Sequence, residues 1–210
     1  MKIISKQSRK SNQAFTLIEM IGVLAVIAIL ASMLIPKIFE AINSARINNT
    51  VQSYNAIKTA VMDHYGKYGT INYNGKTQLG IPAGDAQLAA YDRLVLLPEA
   101  LIDKPFIARV GTNWLVQVVA GVSAGTGVLG PNAAYDMDGS GAAANDAAPA
   151  SFVVEVVVEG VAIADAIDIS QRLDGPALSQ APGSAAADLA GRVKYAGTDP
   201  TDVHIYVAHR

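Results

Sequence analysis

Glu19 is the residue whose position most demands a chemical explanation. It lies within Phe15–Ile35 (FTLIEMIGVLAVIAILASMLI), 21 residues with no other charge and two hydroxyls, Thr16 and Ser32. A carboxylate in such a run costs roughly 3 kcal/mol or more in a membrane, which marks it as functional. The segment holds no counter-charge, so the expected partner comes from another chain or is created by processing. Three other patterns carry less. Gly121-Val122-Ser123-Ala124-Gly125 has the spacing of a nucleophile elbow, which needs a strand, a sharp turn and a helix. Gly125–Asn132 (GTGVLGPN) cannot open that helix, and His64, His204 and His209 lie elsewhere. The same stretch matches G-x-G-x-x-G, but Pro131 follows it and no βαβ unit surrounds it. Asp136-Met137-Asp138-Gly139-Ser140-Gly141, with Asn145 and Asp146, gathers oxygen donors around glycines. Calcium takes such donors, although the spacing is not that of an EF-hand. The reading is a solvated Asp/Gly turn, with calcium the one cation it would suit. No other cofactor, no metal site and no enzymatic activity are expected.

The element that positions Glu19 is a helix. At about 1.5 Å per residue, 21 residues cover roughly 30 Å, the thickness of a bilayer core. Lys2, Lys6, Arg9 and Lys10 precede it and no acid does before Glu19. Basic flanks stay on the cytoplasmic side, so Met1 is expected in the cytoplasm and the bulk of the chain outside. A cleavable secretory signal has a shorter apolar core and a small-residue site after it, and neither applies here. Beyond Pro36 the helix is predicted to continue. Ile47, Val51, Tyr54, Ile57, Val61, Tyr65 and Tyr68 recur at steps of three and four, one apolar stripe opposite Asn48, Gln52, Asn55, Lys58 and Asp63. Gly66 and Gly69 end the pattern. One helix of about 50 residues results, bending at Pro36, with a single face to bury in its second half.

The rest reads as β-rich. Residues 86–102 look like short helical pieces broken at Pro98. Asn113–Ala120 and Ser151–Val158 are β-branched runs of strand length, separated by a long Gly/Ala/Asn/Asp loop. Residues 162–173 have helical spacing and stop at Gly175-Pro176. Arg192–Ala196 and Val203–Ala208 form a predicted hairpin. In its second strand Val203, Ile205 and Val207 face one way, and His204 and Tyr206 face a wetter side. The expected fold class is α+β, a long N-terminal helix packed against an antiparallel sheet of about four strands.

Ala14-Phe15-Thr16-Leu17-Ile18-Glu19, with the basic leader, the apolar run and Pro36, resembles the N-terminal signature of type IV pilins and type II secretion pseudopilins. The resemblance covers roughly the first 50 residues. It implies a prepilin peptidase that cuts between Ala14 and Phe15 and methylates the new amine of Phe15. Glu19 then stands at the family's glutamate and Pro36 at its helix-bending proline. The family usually has Gly before the cut; Ala14 keeps a small side chain there. In a staggered stack of helices, Glu19 of one chain would meet the Phe15 amine of another and set axial register.

That resemblance divides the chain into a leader (1–14), a long helix (15–69, with 15–35 spanning the membrane and forming the filament core, and 36–69 amphipathic) and a β-rich head (70–210). Loss of four leader cations takes the net charge from −2 to −6, which argues against a nucleic-acid partner. Cysteine is absent, so the disulfide-closed loop of many pilins cannot form. The expected function is a structural subunit of a pilin-like filament, most simply a type II secretion pseudopilin. A type IV pilus subunit and a single-pass anchored binding domain that never polymerises are the alternatives. The implied partners are like subunits, the peptidase, membrane lipid, and an inner-membrane platform with its ATPase. The implied location is the bacterial inner membrane, with the head periplasmic or in a filament outside.

Overall fold

The computed structural model describes residues 15–71, 87–120, 135–140 and 152–209. The chain falls into two units, Met1–Asn43 and Ser44–Arg210. Helix α1 (Leu17–Tyr68) belongs to both and runs through Pro36 without interruption. It ends at Gly69, whose φ of +67° suits glycine and whose N–H donates to the Tyr65 carbonyl at 2.7 Å.

In the second unit α1 buries Ile47, Thr50, Tyr54, Ile57, Ala60, Val61 and His64. The predicted stripe is therefore rotated at its end. Val51 is only partly buried and Tyr65 is 43% exposed, while Thr50 and His64 turn inward. The cause is polar pairing. Thr50 Oγ1 accepts from the Arg109 amide at 2.9 Å. His64 Nδ1 lies 2.7 Å from Glu99 Oε2, with both side chains buried.

The sheet has five antiparallel strands: β1 (Gln87–Ala89), β2 (Asn113–Ala120), β3 (Phe152–Val161), β4 (Val193–Tyr195) and β5 (Thr201–His209), in the order β1-β2-β3-β5-β4. The β2 bounds coincide with those read from the sequence. The short β1 corrects the reading of residues 86–102 as wholly helical. It pairs with Gln117–Val119, and only then does the chain enter a single π-helical turn at Asp92–Leu96. Asp92 fixes that turn by accepting the Phe106 amide at 2.8 Å. The central strand β3 pairs on both sides and buries Val153, Val154, Val156, Val158 and Val161, which is why it reads as a nearly unbroken β-branched run.

Helix α2 (Ile163–Leu173) follows β3. Its end is tied to β4 by Asp174. One carboxylate oxygen accepts the backbone amides of Arg192 and Val193, each at 2.8 Å, and the other accepts Arg192 Nε at 2.9 Å. Gly191 permits the approach, since a Cβ there would lie 2.6 Å from the Asp174 carboxylate and φ is +81°. On α2 itself Arg172 reaches back to Ser44 Oγ at 3.0 Å and to Asn48 Oδ1 on α1. Asn48 is thus engaged helix surface.

The main core lies between α1, α2 and one face of the sheet, joining Ile47, Tyr54 and Ile57 to Val116, Val156, Ile169 and Ile205. The other face is polar as expected, but it is not wet. Gln117, Glu155, Lys194 and His204 are all buried there, with Val119, Tyr135 and Val153. Among the described residues outside the sheet, Tyr135 and Met137 lie against it. Tyr135 packs against this face, and the Asp136 carbonyl accepts the Gly191 amide at 2.7 Å.

Candidate functional site: the N-terminal segment

The first turn of α1 is built by Thr16 and Glu19. Thr16 donates its amide (2.8 Å) and its hydroxyl (2.7 Å) to Glu19 Oε2, and the Glu19 amide donates to Thr16 Oγ1 at 3.4 Å. This is a reciprocal capping box, in which each side chain satisfies an amide left orphaned at the helix start. It gives Glu19 hydrogen-bonding partners inside its own helix. Thr16 supplies hydrogen bonds, although not a counter-charge. The signal was present in the sequence as Thr16-x-x-Glu19. It is a local pattern, whereas the membrane argument counts only charges.

Phe15 immediately precedes this cap and is 80% exposed. Ala14 and the basic leader lie outside the described residues. Past the cap α1 presents apolar side chains as far as Ile35, broken only by the Ser32 hydroxyl, with Leu24 60% and Ile35 52% exposed. Its apolar window is long and apolar enough to cross a membrane, and none of that window is buried within the chain. Such a surface in water would be covered by lipid or by other protein. At Pro36 the missing N–H leaves the carbonyl four residues earlier without its helical donor. That carbonyl belongs to Ser32, whose own hydroxyl donates to the Ile29 carbonyl at 2.7 Å. Lys37 and Glu40 pair at 3.0 Å on the exposed surface just beyond.

The structure therefore brings Phe15, Thr16 and Glu19 together at the start of α1, with Pro36 on the same helix. The Ser123 and Gly125–Gly130 patterns lie outside the described residues, as do Asn145 and Asp146. Asp138 lies in a described turn, where its carboxylate accepts the Ser140 amide at 2.9 Å. Hydrogen bonds from Ser140 and then Asp136 hold the Asp138 carboxyl below its ordinary value. Among the described residues no group of three or more His, Cys, Asp or Glu side chains could hold a metal. His204 and Glu155 sit under residues 135–140, and His209 Nδ1 lies 2.5 Å from the Tyr206 hydroxyl. No local pattern marks the Glu155 centre, because the strands that build it are remote from one another in the chain.

No curated protein and no solved structure gives a match to the chain. Residues 9–35 match the family model described as the prokaryotic N-terminal methylation motif. The matched residues begin in the leader, cross the Ala14–Phe15 bond, include the capped glutamate and end at the last residue of the apolar run. One N-terminal apolar helix and this motif fit a single-pass membrane anchor. The N terminus of this chain is thus a prepilin-type methylation signal, the signal of type IV pilins and pseudopilins.

Proposed function

We propose that the chain is a structural subunit of a pilin-like filament, made as a membrane precursor, cut between Ala14 and Phe15 and methylated at Phe15. The observation that carries this reading is the methylation motif over 9–35, together with a helix whose apolar window is left unburied among the described residues. The role is assembly, not catalysis. The bilayer holds the subunit by 15–35 until assembly lifts it out, and packing against neighbouring helices then replaces lipid. Cleavage leaves a cationic amine on Phe15, and Glu19 of one subunit meets that amine on another. The pair keeps either charge from being stranded in an apolar filament core and so fixes axial register. Within this class a type II secretion pseudopilin is favoured over a type IV pilus subunit, because a chain without cysteine cannot close a disulfide loop. The partners are like subunits, a prepilin peptidase and an inner-membrane platform with its ATPase. The basic leader places the N terminus in the cytoplasm and the head on the far side.

The capping box favours one other reading, an anchored domain that never polymerises, since Thr16 already satisfies Glu19 within its own helix. Glu19→Val separates the two. In the filament reading the variant stays in the membrane with a folded head and is incorporated into filaments far less than wild type. Undiminished incorporation would sink the register argument.

A further inference from the structure

Residues 101–109 and the second half of α1 enclose a cleft of about 310 Å³. Ala56 and Ile57 form one wall, and Leu101, Ile102 and Phe106 the other. Both walls are fixed. Phe106 is buried with its amide bound to Asp92, and the Arg109 amide is bound to Thr50 on α1. A cleft already formed costs little to order when it is filled. Lys104 and Arg109 also line it with exposed side chains, against a single lining carboxylate, Asp103. Among the described residues no ion pair engages any of these three charges.

Further along the same helix, the outward face carries the complement. Met62 is 55% exposed, and Asp63 beside it is exposed with no ion pair or hydrogen bond among the described residues. Lys67, one turn on, lies over the Tyr68 ring instead, 4.9 Å from its centroid. We propose, resting on the filament reading above, that Met62 of one subunit seats in the cleft of the next while its Asp63 meets Lys104 and Arg109. The occupant is a second copy of this chain because the chain offers both halves of the contact. One half is an apolar knob beside an unpaired carboxylate; the other is an apolar cleft beside two unpaired cations. Within one copy Asp63 stands seven residues beyond Ala56, roughly 10 Å along α1. A methionine side chain adapts to an irregular apolar gap, and the charges that close over it fix orientation and exclude wrong partners. The two patches are different, so the contact is head-to-tail. Each added subunit presents a fresh cleft, and the array stays open instead of closing as a dimer.

The chain has no cysteine, so introduced cysteines report the contact directly. Full-length Met62→Cys and Ile102→Cys chains, expressed together in cells that assemble the filament, are expected to give a disulfide-linked dimer on mild oxidation, and either chain alone none. Lys104→Glu/Arg109→Glu should lower incorporation into sheared filaments about tenfold or more, by setting like charges against Asp63. Adding Asp63→Lys to that chain should restore incorporation, because every copy then carries both reversed halves. Filaments that form without the linked dimer would overturn the contact and leave the filament reading standing, as would a triple variant no better incorporated than the double. A wild-type chain absent from filaments would overturn both. If the charge-reversed chains fail to fold, the cysteine pair alone decides.

Discussion

At the residue scale the chain rests on a few polar groups whose geometry is worth more than their number. Thr16 and Glu19 cap α1 reciprocally, and loss of such a cap costs about 1 kcal/mol of helix stability. Thr16→Val is expected to fray the first turn, seen as faster amide exchange at Glu19 and Met20, without loosening the head. The Tyr54 hydroxyl donates to the Tyr206 carbonyl at 2.6 Å across the main core. Tyr54→Phe should lower the head's unfolding free energy by about 1 kcal/mol, read from denaturant titration of Trp114 fluorescence. An unchanged midpoint would mean that water takes the vacated place. The distinction between these residues explains what could be read beforehand. Glu19, Phe15 and Pro36 stand out because each breaks or punctuates a uniform run. Thr50 and His64 do not, because their inward turn depends on the Arg109 amide and on Glu99, which the spacing along α1 cannot reveal.

At the element scale, the parts with strong local signals formed where the residues place them. Helix α1 follows its apolar run and then its stripe, β2 its β-branched residues, and α2 its stop signal. Strand β1 was hidden because three residues are too few to show a period of two, and its pairing with Gln117–Val119 is what makes them a strand. The join between α2 and β4 is likewise tertiary. Asp174, with a side chain 2% exposed, takes two backbone amides and Arg192 Nε. Asp174→Ala strands these donors and is expected to cost about 3 kcal/mol, with Asp174→Asn recovering part. A loss below about 0.5 kcal/mol in the same titration, the size of an ordinary surface substitution, would show that the staple contributes little.

At the scale of the whole molecule, the buried titratable groups set a stability profile with pH. Burial drives Lys194 from 10.5 down to about 8, against the opposing charge of Glu155. The unfolded chain holds this proton more tightly, so stability rises as pH climbs from about 8 to 10.5, by up to about 3 kcal/mol. Burial has the opposite consequence for the tyrosines. Tyr54 is pushed up to about 12, and Tyr91, Tyr135 and Tyr195 are also raised. Unfolded tyrosines ionise near 10 while these stay protonated, so stability falls as pH rises beyond that. A maximum between about pH 8 and 10 is expected in denaturation midpoints, and Lys194→Met should remove its rising limb; a flat or steadily falling profile would contradict this. The polar centre behind that profile could not be read from β-strand alternation, which marks a polar face but not the segment that covers it.

The central claim, that this head is carried into a filament on a processed N-terminal helix, is tested most directly by the mass and N-terminal sequence of the protein isolated from its native membrane. The account predicts a mature chain beginning at N-methylated Phe15. A chain still beginning at Met1, in cells whose other prepilins are cut, would contradict it and leave an anchored, non-polymerising domain as the better description.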